Sequence, residues 1–326
     1  MPSSSSTVLI LPHSADFFTV DRVAAAIRRR GRTFFRFDTD RFPAQARLSD
    51  RLGPEGSSAL IADEGRRREA RDVRAVWARR VWEPALAADL DPSFREAARR
   101  ESRAALAAAW DAFRDAGWID RMDLVARAGD KLLQLRLARE AGLEIPRTLL
   151  TNDPEEARAF FRERNGRVVA KMLTPLTQGM DGAGAFVYTS RVTEADLAEA
   201  DGLRHSPMLF QEEIPKEREL RVVAVRDELF AGAVDARHTA AGAVDWRRST
   251  PEECRWERGA VPEDCARSLR RVLGELGLAF GVFDLIHTPD GRHVFLELNP
   301  GGEWGMLERD LDLGIADALA RALCED

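Results

Sequence analysis

The sequence predicts an α/β chain of the α+β kind, in which helices alternate with strands and then give way to hairpins. Three observations carry this. The first forty residues read as a β-α-β unit, the middle of the chain holds helices with clear caps and stops, and the last third holds strands joined by tight turns.

The opening run "TVLILPHS" is apolar enough for a buried strand, and "DFFTVDRVAAAIRRRG" follows as an amphipathic helix. Val20, Val23, Ala24 and Ile27 recur at helical spacing, and Gly31 is placed to end the helix. "RTFFRFDTD" is the second strand. The segment from "LGPEG" to "VWEP" reads as short strands and turns, with "VRAVWARR" the clearest strand. A long helix starts near Asp91 in "DPSFREAARRESRAALAAAWDAFRDAG", with Ser93 as its expected cap and Gly117 beyond its end.

"GDKLLQLRLAREAGLEIPRTLLT" is a helix capped by Asp130, with Leu132, Leu135 and Ala138 on one face, Gly142 at its end and a short strand after Pro146. "TNDPEEARAFFRERNG" is a helix begun by Asn152 or Asp153, with Pro154 in its first turn. "RVVAKML" and "GAFVYTS" are strands on either side of the loop "TPLTQGMDGAG". "PMLFQEEI", "ELRVVAVRDELFAGAVD" and "FGVFDLIHTPDGRHVFLELN" supply the remaining strands, with a helix near 262–276 and a closing helix in "DLGIADALARAL". Internal repeats and coiled-coil heptads are not found in the sequence.

At 326 residues the chain has room for two or three domains, and 44% apolar with 32% charged residues fits a soluble globular protein. No run approaches the roughly 18–20 apolar residues of a membrane span. "MPSSSSTVLI" lacks the basic and apolar regions of a signal peptide, so a cytoplasmic protein without membrane attachment is expected. Cys254, Cys265 and Cys324 form no CxxC pattern, which speaks for reduced thiols and against zinc. A net charge of −6 speaks against nucleic acid as a general partner.

Only three of the 49 basic residues are lysine: Lys131, Lys171 and Lys216. Codon bias accounts for the many arginines but leaves the exceptions unexplained. A compact ammonium on a flexible stem suits a single phosphate oxygen, so all three are candidate phosphate ligands, with chance retention as the alternative.

"HTPDGRH" is a turn between two strands. With a four-residue loop from Pro289 to Arg292, Thr288 faces His293, Asp284 faces Glu297 and Val282 faces Asn299. One face then carries Asp284, Glu297 and Asn299, and the other carries Phe283, Leu285, Leu296 and Leu298. Opposed carboxylates repel unless a positive charge lies between them, and hard oxygens suit magnesium. An exposed polar face or a salt bridge to arginine accounts for the same pattern. A three-residue loop with a glycine bulge would slip the register by one and put Asp284 on the wrong face.

Magnesium implies phosphate. Lys171 ends a strand just before the loop that holds Gly179, Gly182 and Gly184, where backbone amides can approach closely. Neither GxxxxGK[ST] nor GxGxxG occurs, and an ordinary hairpin loop is the commoner explanation of such glycines. In "LFQEEIPKERELRV" an extended strand meets Pro215. Such a strand can offer backbone groups to an adenine edge and Glu219 to a ribose. Arg221 is placed to reach phosphate or carboxylate, or else to pair with Glu219 or Asp235.

In this order, "GDKLLQLRLAREAGLEIP", "VVAKML", "QEEIPKEREL" and "GVFDL…FLELNP" resemble the ATP-grasp superfamily over roughly residues 118–326. "VDRVAAAIRRRGRTFFRFDTDRFP", "VWARR", "GLEIPRTLLTND", "IPKERELRV" and "DARHTAAGAVDWRR" extend the resemblance, nearly end to end, to the microviridin-type graspetide synthetases. These are homodimeric ligases that macrocyclise ribosomal precursor peptides.

The resemblance implies an ATP-grasp fold behind an N-terminal α/β pre-ATP-grasp domain. The implied division is 1–118, then 119–206 with the lid loop, then 207–326 with the metal site. It implies ATP and Mg2+ as cofactors and a precursor peptide, leader plus core, as partner. Lys131 and Lys171 would hold phosphates. Gln211, Glu212, Glu213 and Ile214 would line the adenine pocket, with Glu219 at the ribose. Asp284, Glu297 and Asn299 would hold magnesium, and Arg221 with Lys171 would serve the reacting groups. Asp235, Arg237, Asp245 and Arg247 lie where this family meets its peptide, with "DARH" and "DWRR" both fitting Asp-x-Arg. Lys216 fits the family's "IPK" without a role. Two alternatives remain. One is an ATP-grasp ligase that adds a free amino acid to a small peptide or protein, as glutathione synthetase does. The other is a non-catalytic nucleotide-binding protein, against which the filled lysine and magnesium positions speak.

Overall fold

The computed structural model describes residues 7–173, 189–235 and 255–325. Strands Thr33–Arg36, Thr7–Leu11, Val73–Ala78 and Gly117–Ile119 lie side by side in that order, all parallel. Parallel sheets are covered on both faces, and Thr7–Leu11 is accordingly buried along its whole length. Helix Phe18–Arg29 buries Val20, Val23, Ala24 and Ile27, and Gly31 follows its end in the left-handed region at φ +72°. Leu9, Leu11, Phe35, Val76, Leu106 and Trp110 form a second core, to which helix Arg95–Trp110 contributes. An antiparallel meander of Arg47–Gly53, Gly56–Asp63 and Arg66–Glu69 is inserted before the third parallel strand.

The long helix starts differently from the expectation. Asp91 does the capping in place of Ser93, accepting from the Ser93 amide at 2.8 Å, and the 3-10 turn Pro92–Phe94 leads into the α-helix. Pro92 has no N–H, so the first donor that needs a cap belongs to Ser93 itself.

A second sheet is antiparallel, in the order Ser190–Arg191, Val168–Lys171, Met208–Glu212, Thr148–Thr151. Its core holds Ala157, Phe161, Val168, Val192, Leu197 and Phe210. Helix Pro154–Glu163 is capped by Asp153 rather than Asn152. The expected strand "GAFVYTS" lies mostly outside the described residues.

The third sheet carries the site. Its order is Glu257–Arg258, Glu228–Val234, Arg218–Val225, Phe280–His287, His293–Asn299, antiparallel throughout. On one face Leu220, Val222, Ala224, Phe283, Leu285, Phe295 and Leu298 share a core with helices Lys131–Glu140 and Glu263–Glu275. The other face is divided along its length. Val223, Val225, Phe280 and Val282 share a core with helix Phe18–Arg29 and the closing helix Ile315–Cys324. Further along the same strands stand Glu219, Arg221 and Asp284, with Glu297 opposite Asp284 on the neighbouring strand.

Two short helices, Met122–Ala128 and Gly305–Leu311, have no counterpart among the expected elements. Each spans seven residues, too few for a periodic signal. Among the described residues no helix is long and apolar enough to cross a membrane, and Cys265 and Cys324 are unpaired thiols.

Candidate active site

The hairpin that positions the acidic residues reaches the expected pairing by an unexpected route. His287 faces His293, Ile286 faces Val294 and Leu285 faces Phe295, one residue off the predicted register. Gly291 sits in the left-handed region at φ +86°, and the Thr288 amide donates to the Arg292 carbonyl. This is the three-residue loop, Pro289 to Gly291, that would have put Asp284 on the wrong face. A bulge between Phe295 and Glu297 takes up one residue, and Asp284 again faces Glu297. The correction falls on Leu296, which is half-buried at the bulge, while Phe295 takes the core position beside Phe283, Leu285 and Leu298.

Asp284, Glu297 and Asn299 therefore meet on one face. Asn299 Nδ2 lies 3.3 Å from Asp284 Oδ2 and 3.4 Å from Glu297 Oε1. The other carboxylate oxygens meet cations: Arg221 Nη1 lies 2.7 Å from Asp284 Oδ1, and Lys131 Nζ lies 3.2 Å from Glu297 Oε2. Each carboxylate thus sends one oxygen to a side-chain cation and the other toward the same amide. Among the described residues no three His, Cys, Asp or Glu side chains group as a metal site. This cluster is two carboxylates and an amide, a hard-oxygen set.

Lys131 opens helix Lys131–Glu140, whose cap Asp130 accepts from the Leu132 and Leu133 amides. The same ammonium donates to the Met172 carbonyl at 3.1 Å, so the strand that ends in Lys171 is tied to the acidic cluster. One turn along the helix, buried Gln134 acts as a missing strand neighbour. Its Nε2 donates to the Leu298 carbonyl at 2.8 Å and its Oε1 accepts from the Leu298 amide at 2.8 Å. Gln134 therefore fixes the edge strand between Glu297 and Asn299, a role that its sequence neighbourhood does not signal.

The loop after Asn299 is gripped from two sides. Arg221 Nε donates to the Glu303 carbonyl at 2.8 Å. Arg79, from "VWARR", sends Nη1 to the carbonyls of Gly301 and Gly302 at 2.9 and 3.2 Å and Nη2 to Glu303 Oε2 at 2.8 Å. Burial pulls the Arg79 pKa down, and the Glu303 and Asp16 carboxylates oppose that. Arg80 shares Glu303 Oε2 at 2.9 Å.

The linker residues lie at the C-terminal end of Met208–Glu212, an interior strand of the second sheet, and just beyond it. Buried Gln211 donates to Thr148 Oγ1 at 3.0 Å. The amides of Glu212 and Glu213 donate to the carbonyls of Arg147 and Arg167, and the Glu213 carboxylate pairs with Arg191. Lys216 acquires a partner: its Nζ lies 2.8 Å from Glu219 Oε1, with both side chains largely buried. Asp235 is exposed, immediately after strand Glu228–Val234. Arg237, Asp245, Arg247 and the loop glycines Gly179, Gly182 and Gly184 lie outside the described residues.

Residues 7–126 match the family described as the MvdD pre-ATP-grasp domain. The crystal structure of macrocyclase MdnB from Microcystis aeruginosa is 46% identical, covers 98% of this chain and 100% of its own, and superposes with a TM-score of 0.84. A Chryseobacterium gregarium RiPP-associated ATP-grasp ligase, solved in complex with ADP and a leader and core peptide, is 30% identical over 98% of this chain and 97% of its own, with a TM-score of 0.92. Tetrahydromethanopterin:alpha-L-glutamate ligase of Methanocaldococcus jannaschii is 23% identical over 64% of this chain and 70% of its own. Likeness of this extent, over both sheets of the site and the N-terminal unit alike, identifies the chain as a member of the ATP-grasp macrocyclases of ribosomal peptide maturation, the microviridin-type graspetide synthetases.

Proposed function

We propose that this protein is an ATP-dependent peptide macrocyclase. It activates Asp or Glu side chains of a ribosomal precursor peptide and joins them to Thr or Ser hydroxyls, or to Lys amines. The observation that carries this reading is the single sheet face on which Asp284, Glu297 and Asn299 converge between Arg221 and Lys131.

The donor set fits magnesium. Asp284 Oδ2 and Glu297 Oε1 already turn toward one amide, and a half-turn of the Asn299 side chain exchanges its nitrogen for its oxygen. When bound there, magnesium neutralises charge on the phosphates of ATP during transfer. Lys131 and Lys171 bind phosphate oxygens, Glu212 to Ile214 meet the adenine, and Glu219, held by Lys216, meets the ribose. A peptide carboxylate oxygen attacks the γ-phosphorus, ADP leaves, and an acyl phosphate forms on the peptide. Arg221 steadies the carboxylate and then the acyl phosphate. The acceptor hydroxyl or amine attacks the acyl carbon, loses its proton and expels phosphate. The ring closes with net loss of one water. The segment "TPLTQGMDGAG", which lies outside the described residues, would serve to exclude bulk water during the acyl phosphate's lifetime. Asp235, Arg237, Asp245 and Arg247 contact the peptide, in a cytoplasmic homodimer.

The test is incubation with ATP, magnesium and a candidate precursor peptide, leader plus core, sought among the open reading frames beside this gene. The expected product is lighter by one water per ring, with one ADP released for each. Unchanged peptide mass in the presence of ADP release would sink the reading. The glutamate-ligase relative supports a second reading, addition of a free amino acid, for which ADP release would depend on the amino acid and not on the peptide.

A further inference from the structure

Arg79 is about as buried as a side chain can be, at 1% exposure, yet it belongs to the N-terminal unit rather than to the sheet that carries the acidic cluster. A buried guanidinium is poor evidence for stability, because well-packed apolar replacements are often as good. Its contacts indicate position instead. Nε lies 3.3 Å from both Thr19 Oγ1 and Asp16 Oδ2, at the start of helix Phe18–Arg29. The other donors reach the Gly301 and Gly302 carbonyls and Glu303 Oε2. These contacts use four of the five donors of a rigid fork, an arrangement no lysine could reproduce.

The loop it holds has no slack. A Cβ on Gly302 would stand 2.5 Å from Val282 Cβ and 3.1 Å from Asn299 Cβ. Val282 is the register partner of Asn299. The backbone at Gly302 thus lies flat on the pair that ends the acidic row.

We propose that Arg79 is a positioning residue for the metal end of the site. Anchored at Asp16 and Thr19, it sets the Gly301–Glu303 loop and through it keeps Asn299 beside Asp284 and Glu297. The inference rests on the magnesium reading above.

Two variants test it, Arg79→Met and Gly302→Ala. The second disturbs the loop without removing the buried charge and serves if the first fails to fold. Hydrogen exchange on nucleotide-free protein should show lost protection for the Asn299 amide and amides 301–305 and unchanged protection for helix Pro154–Glu163. Electron paramagnetic resonance with Mn2+ and ADP should show metal affinity weakened by about 10–100-fold, the range for outer-shell partners of metal ligands. Wild-type protection of the loop, or lost protection with Mn2+ affinity within about twofold of wild type (well below the outer-shell range), overturns the inference. Failure of the wild type to bind Mn2+ with ADP overturns the magnesium reading and this inference with it, and is told apart because it needs no variant.

Discussion

Glu297 stands opposite Asp284 on adjacent strands, where like charges cost roughly 0.2–1 kcal/mol relative to neutral pairs. Lys131 and Arg221 each pair with one carboxylate oxygen, and Asp284 Oδ2 and Glu297 Oε1 converge on the Asn299 amide. Glu297→Gln keeps the shape and removes the charge. Peptide-dependent ADP release should fall by at least ~100-fold, on the scale of losing one preorganised charge contact. Thermal stability should change by no more than about 1 kcal/mol, because relief of the carboxylate repulsion offsets loss of the Lys131 pair. Parallel melting curves and ADP assays would check this, and a variant that loses stability and activity together would mark Glu297 as merely structural. Lys216 extends the same logic: its pairing with Glu219 is local in sequence, so a partner three residues away was there to be read.

At the scale of elements, the edge strand His293–Asn299 depends on a side chain for its outer ladder. Gln134 satisfies both polar groups of Leu298 from 164 residues away. Gln134→Leu leaves a buried amide and carbonyl without partners, at about 1–3 kcal/mol each before relaxation. A stability loss of about 2–4 kcal/mol in urea melts is expected, with a fall in turnover because Glu297 and Asn299 flank the released residue. Turnover unchanged despite that loss would separate the strand's stability from its function. The same strand shows what local pattern can and cannot reveal. Alternation in "FLELN" puts Glu297 and Asn299 on one face, and no tertiary fact is needed for that. Which residue opposes them depends on the turn and on the bulge, and these two departures cancel. The αL glycine was visible as "DG", but the bulge at Leu296 leaves no mark in residue type. It is decided by Phe295 reaching the core through Glu144 on one side and Phe283 on the other. Gln134 goes unmarked in the sequence, and Arg79 is marked only as part of "VWARR" with no role, for a related reason. Gln134 bonds backbone groups, and Arg79 reaches two backbone carbonyls besides Glu303, all far along the chain, and a backbone group has no letter in a sequence.

Across the whole molecule, the N-terminal unit grips both strands of the acidic hairpin at its open end, where Val282 pairs with Asn299. Arg79 grips the loop beyond it, and Asp120, just after parallel strand Gly117–Ile119, accepts from the Ala279 and Phe280 amides at 2.7 and 2.9 Å where strand Phe280–His287 begins. Burial pushes the Asp120 carboxyl up to about 6, against the pull of those two amides. The folded value lies above the ordinary 3.8, so between these pH values the folded chain holds a proton that the unfolded chain has released. Stability from this group is therefore full below about pH 4 and is lost as pH rises through about 6. At roughly 1.4 kcal/mol per unit the loss is about 3 kcal/mol. Asp120→Asn cannot titrate, and its amide nitrogen faces one of the two backbone donors, so the variant is less stable throughout. The wild-type advantage should be largest near pH 4 and narrow toward pH 7, because every other titrating group is common to both proteins. Melting curves of the pair at matched ionic strength measure that difference directly. If the advantage stays flat, or widens toward neutral pH, Asp120 is ionised across the range and its carboxylate is a plain strand cap.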